Sequence, residues 1–171
     1  IDMDKNYMVL TLETDFDYNS KDYGKIMSFR NSFTYALKHL EQIVNKRGVK
    51  FIWKTQSVSA ICFLILEDLS VLDAICLEID EFIRYHFLYS ETNVLLGYSN
   101  THFGISQAKM AVNESESAII FGKKSESTGI SFHYHELGIL KLLVNSNSKD
   151  ELEEYCEQIL GPLIRSDKED M

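Results

Sequence analysis

The sequence predicts an α/β fold, a mixed β-sheet with helices packed on it, and three observations lead there. Residues 51–67, FIWKTQSVSAICFLILE, alternate at Phe51, Trp53 and Thr55, break at Gln56-Ser57, and then run apolar from Val58 to Leu66. That order reads as a hairpin whose second strand lies inside the sheet and is covered on both faces. Two long amphipathic patterns flank it, at residues 22–45 and 70–89, and strand-like segments at 7–13, 93–98 and 130–134 supply partners for pairing.

The bulk numbers are consistent with one domain. At 171 residues, 45% hydrophobic and 25% charged, the chain can bury a full core without disulfides. Cys62, Cys76 and Cys156 lie far apart, each within an apolar pattern, and are expected to be buried thiols in a reducing compartment. No run of 18 apolar residues exists, and the opening IDMDKNY lacks the basic-then-apolar order of a signal peptide. A cytoplasmic protein with no membrane contact is expected. The chain begins with Ile, which suggests a piece of a longer protein. A net charge of -9 argues against this segment gripping nucleic acid, which needs clustered Lys and Arg; Lys46, Arg47 and Lys50 are too short a footprint.

In chain order, residues 7–13 alternate as a first strand and run into Glu13, Asp15 and Asp17. Three carboxylates are suitable donors for Mg²⁺. The plainer reading, a solvated loop before a helix whose N-terminus favours acids, is preferred. Ile26, Phe29, Phe33, Leu37, Leu40 and Val44 then repeat as a helical stripe that Gly48 stops. His39 sits beside that stripe and is read as packed or surface. Past the hairpin, Ser70 is the expected N-cap of a second helix, with Leu72, Cys76, Ile79, Ile83 and Phe87 inward. His86 sits near its end, favourably placed against the helix dipole.

After the strand at 93–98, Ile105, Ala108, Ala111, Val112, Ser115, Ala118 and Ile119 predict a third helix with a small-residue inner face, which lets it lie close to the sheet. Residues 122–129, GKKSESTG, read as a plain loop. His133 and His135 would share one face of an extended segment, a possible metal pair, but no Cys or acidic partner stands at a recognisable spacing. Residues 137–145 predict a short apolar helix. Ser148 and Glu151 form a capping box for a last helix closed by Gly161-Pro162. The order β-α-β-β-α-β-α-β-α-α indicates a ferredoxin-like or related α/β sheet.

Three stretches carry a family resemblance. AVNESESAIIFG, residues 111–122, resembles the S-Y-x-E-A-x-x-A-L-x-x-G segment in the middle domain of PucR/CdaR-type bacterial transcription regulators, with Glu114, Ala118, Ile119 and Gly122 on its Glu, second Ala, Leu and Gly. Ser115 stands where that pattern has its first Ala, and Ala111 where it has Ser. FHYHELGILKLL, residues 132–143, resembles its strand and E-L-G-L-x-x-L-L element, and ILGPLIRSD, residues 159–167, its L-G-P-L-x-x-x-D close.

The resemblance implies a GGDEF-like, nucleotidyl-cyclase-like domain spanning 1–171 and followed in the longer protein by a helix-turn-helix segment. Active cyclases of that fold carry Gly-Gly-Asp/Glu-Glu-Phe at the hairpin tip, where glycines admit the nucleotide and acids hold metal. Here the tip is Lys54-Thr55-Gln56-Ser57-Val58-Ser59. Asp15-Phe16-Asp17 is similar to the cyclase Asp-x-Asp, yet its further partners do not follow at matching distance. A non-catalytic signal-transmitting or dimerisation domain is therefore expected, with no catalytic, cofactor or metal residues. It would form a homodimer, touch DNA only through the downstream segment, and answer to an effector the sequence does not name. A nucleotide- and Mg-binding cyclase-like enzyme and a small-metabolite sensor are the alternatives.

Overall fold

The computed structural model describes residues 4–17, 21–87, 94–124 and 130–138. Contacts divide the chain into two units, Ile1–Glu136 and Leu137–Met171, and the sheet belongs to the first. Its elements are β1 (Asn6–Thr14), α1 (Tyr23–Lys46), β2 (Lys50–Thr55), β3 (Ser59–Leu66), α2 (Leu72–Phe87), β4 (Val94–Tyr98), the short β5 (His102–Phe103), α3 (Ala108–Lys124) and β6 (Ser131–His133). The strands run in the order β2-β3-β1-β4-β6, with β5 also paired to β1. Every pairing is antiparallel except β4 with β6. β1-α1-β2-β3-α2-β4 is the ferredoxin-like split βαβ pattern, and α3 with β6 adds a parallel strand beyond it. The fold is mixed α+β, as the sequence predicts.

α1 and α2 cover the face that carries Met8, Leu10, Leu12, Ala60, Cys62 and Leu64. On the opposite face α3 sets Ala111 against Tyr7 and Val9. β1 is buried on both faces, with Val9, Leu10 and Leu12 wholly inaccessible. β3 does lie inside the sheet, but it alternates, with Ile61 and Phe63 only half-buried. The cause is the placing of α3, which packs on β1, β4 and β6 and leaves the outer face of β3 partly open.

Local chemistry sets the helix ends. Asp22 caps α1, its carboxylate accepting from the Lys25 N–H at 3.1 Å. At the other end Gly48, with φ 69°, lets its own N–H reach the Asn45 carbonyl and the Val49 N–H reach that of Val44, the paired bonds of a Schellman closure. The cap before α2 is Asp68 and not Ser70. The chain enters through a 3-10 turn, Leu69–Val71, whose Ser70 N–H and hydroxyl both donate to the Asp68 carboxylate. α3 likewise begins after a 3-10 turn, so Ile105 is 62% exposed instead of facing inward.

The small inner face of α3 brings it against the sheet as expected. A Cβ on Gly97 would overlap the Ser115 carbonyl oxygen, and one on Gly122 the Phe132 ring. β6 ends at His133 and a 3-10 turn, Tyr134–Leu137, follows, with Gly138 at φ 52°. A helix starting at Leu137 is therefore not what the chain forms there. Residues 122–124, expected in a loop, belong to the end of α3. The remainder of the helix expected at 137–145, the capping box at 148–151, the closing Gly161-Pro162, Cys156, and residues 88–93 and 125–129 lie outside the described residues. Among the described residues no helix is long and apolar enough to cross a membrane.

Candidate functional site

The family resemblance directs attention to the tip of the β2–β3 hairpin and the end of β1. Gln56, Ser57 and Val58 join the two strands, and the Gln56 N–H donates to the Ser59 carbonyl at 2.8 Å. Thr14 holds this tip to β1 twice, through its N–H at 2.9 Å and its hydroxyl at 3.1 Å, both donated to the Val58 carbonyl. The stretch from Lys54 to Ser59 contains neither glycine nor carboxylate.

The three acids beyond β1 are separated by their surroundings. Glu13 forms an ion pair with Lys123 at the end of α3. Phe16 turns inward and stacks on Phe29 with ring centroids 4.1 Å apart, leaving Asp15 and Asp17 exposed on either side of it. Among the described residues no group of three or more His, Cys, Asp or Glu side chains is placed to hold a metal ion.

The two histidines near β6 do not share a strand face, because the strand ends between them. Their rings stand 5.5 Å apart and tilted, while His133 stacks on Tyr98 at 4.5 Å. Burial pulls the His133 imidazole below its ordinary value, against a pull upward from Glu136 and Asp80. Tyr98 is wholly buried and donates to Asp80 at 2.7 Å. Burial and then the neighbouring Asp80 charge push its phenol well up, so it stays a donor. The thiols of Cys62 and Cys76 are buried as expected. Burial pushes Cys76 up to about 12 and Cys62 well above the ordinary thiol range, so neither is a ready nucleophile.

Among the described residues a dense polar cluster gathers around Glu114, which the sequence offers only as a motif position on a helix. Glu114 stands on the inner face of α3, only 8% exposed, and accepts from the Asn100 N–H at 2.8 Å and the Asn100 side-chain amide at 3.3 Å. Its other contact is His102 Nε2 at 2.8 Å, and His102 Nδ1 lies 3.0 Å from Gln107 Oε1. Beside it Thr11 and Ser115 join hydroxyls at 2.7 Å, and Ser99 accepts from the Val9 N–H at 2.9 Å. A charged residue four places before Ala118 and three after Ala111 was the available signal. Closed off and mutually satisfied, these groups fasten the β4–α3 connection to the sheet; they leave no atom aimed at a ligand.

On the partly open face of β3 lies a groove of about 170 Å³ lined by Tyr7, Ile52, Phe63, Ile65 and Ala108, with Lys5 at its rim. Lys5 pairs with Glu67 at 2.7 Å, and the Tyr7 hydroxyl donates to the Gly104 carbonyl at 3.1 Å. Its lining is apolar, without the converging polar groups that orient a metabolite.

No protein-family model and no curated protein matches the chain. Among solved structures it is similar to the coiled coil and GGDEF domain of DgcB from Caulobacter crescentus in complex with c-di-GMP, with TM-score 0.47 and 9% identity over 75% of this chain and 70% of that one. It is also similar to the catalytic core of a rhodopsin-guanylyl cyclase in complex with ATPalphaS, with TM-score 0.46 and 11% identity over 66% and 72%. A third similar chain is a hydantoinase/carbamoylase family amidase from Burkholderia ambifaria, with TM-score 0.41 and 10% identity over 75% and 34%. The strand order, rather than these overlaps, assigns the ferredoxin-like fold class.

Proposed function

We propose that this domain relays a signal without catalysing a reaction, as the GGDEF-like middle domain of a PucR/CdaR-type transcription regulator. The hairpin tip is the observation that carries the reading. Where metal-dependent phosphoryl transfer needs close backbone approach and paired carboxylates, this tip offers Lys54 to Ser59, bound to Thr14, and Glu13, the acid across from Ser59, is occupied by Lys123. The residues that carry the resemblance also have structural work: Glu114, Ala118, Ile119 and Gly122 are all buried on the sheet side of α3. Signal passage then depends on shape and self-association, and DNA contact belongs to a segment downstream. Incubation with GTP or ATP and Mg²⁺ or Mn²⁺, followed by chromatography, should return the nucleotide unchanged. Release of pyrophosphate together with a cyclic or linear dinucleotide product would contradict the reading.

A further inference from the structure

The outer surface of α1 and α2 combines exposed large side chains with charges arranged to meet their opposites. Tyr35 stacks on His86 at 5.2 Å, His39 on Phe82 at 4.1 Å, and Arg47 pairs with Glu78 at 2.7 Å. Numbering therefore rises along α1 as it falls along α2, and these pairs mark which positions share a level. At about 100° per residue, a position two places from a buried one points the opposite way. Lys38 lies two places from buried Ala36 and Leu40, and Glu81 two places from buried Ile79 and Ile83. Both are exposed, both stand near the level of the His39–Phe82 stack, and among the described residues neither has an ion-pair partner. Around them Tyr35 is 56% exposed, Leu77 60% and Tyr85 81%.

We infer that this face is where two copies of the chain meet, about a two-fold axis parallel to the two helices. Such an axis sets α1 of one copy over α2 of the other at an unchanged level, so that Lys38 faces the second copy's Glu81 twice. It also sets Tyr35 near Tyr85 across the same interface. An isologous contact requires this self-complementarity, and the other in-plane axis, perpendicular to the helices, would oppose Lys38 to Lys38. The inference specifies the self-association in the proposed relay and rests on that reading, but its test measures mass and charge pairing and can fail independently of nucleotide chemistry.

Sedimentation equilibrium of the full chain should give a dimer. Lys38→Glu and Glu81→Lys should each weaken it by at least about tenfold, since each places like charges together twice. Mixing the two variants should restore association, because in the mixed pair every contact again joins a base to an acid; the double variant should dimerise as the parent does. Circular dichroism confirms that these surface changes leave the fold intact. A monomer at about 100 μM, where a contact of useful affinity would be populated, would overturn the inference. So would a dimer indifferent to the single changes, or one not rescued by mixing.

Discussion

Gly97 and Gly48 are needed for different physical reasons, and substitution separates them. At Gly97 the constraint is space, since a methyl group would overlap the Ser115 carbonyl and crowd Ile119 in the layer between β4 and α3. Gly97→Ala should cost about 2 to 3 kcal/mol, the upper part of the range for overpacking. At Gly48 nothing lies within 4 Å of such a methyl, and the constraint is the φ of 69°. Gly48→Ala should cost about 1 kcal/mol, and Gly48→Asn less, because Asn tolerates the left-handed region. Urea unfolding midpoints check the ranking; equal losses at the two sites would contradict it. His133 supplies a pH dependence. Its folded value lies below the ordinary 6.5 because burial disfavours the charged ring, so the unfolded chain binds the proton more readily and stability falls as pH drops through that value. The carboxylates held low by Lys5, Ser70 and Arg47, namely Glu67, Asp68 and Glu78, act only in the more acid range. Melting temperatures between about pH 7.5 and pH 5.5 should decline less in His133→Phe, which keeps an aromatic ring against Tyr98, than in the parent.

At the level of elements, periodicity made most of the first unit legible. The helical stripe from Phe29 to Val44, the hairpin, and the small inner face of α3 all appear where the spacing put them. What the spacing missed follows from context. The polar Thr11 made β1 look half-exposed, yet it is buried and bonded to Ser115. β5 is two residues long, too short to show an alternation. The site was legible only as a set of absences at the tip, because Glu114 and His102 lie twelve residues apart and only the close approach of α3 brings them together. The entry to α2 was misread because a 3-10 turn moves the cap back to Asp68. The structure therefore predicts that Asp68→Ala destabilises, as loss of an N-cap does, while Ser70→Ala costs clearly less, since the Ser70 N–H bond to Asp68 survives. Thermal unfolding of the two variants decides between them, and a larger loss for Ser70→Ala would restore Ser70 as the cap.

For the molecule as a whole, we propose that a ferredoxin-like sheet with α3 behind it carries a hairpin tip, Lys54 to Ser59, that binds no nucleotide. Among the described residues, buried polar groups near β1 bond within the protein: Thr14 to Val58, Glu114 to Asn100 and His102, Tyr98 to Asp80. Of the acids at the end of β1, Asp15 and Asp17 are exposed, flanking the inward Phe16, and Lys54 to Ser57 of the tip are exposed as well. The most direct measurement is calorimetric titration of the full chain with GTP and with ATP in the presence of Mg²⁺. The expected result is no heat beyond dilution for either nucleotide. Micromolar binding that disappears in Asp15→Ala would contradict the claim.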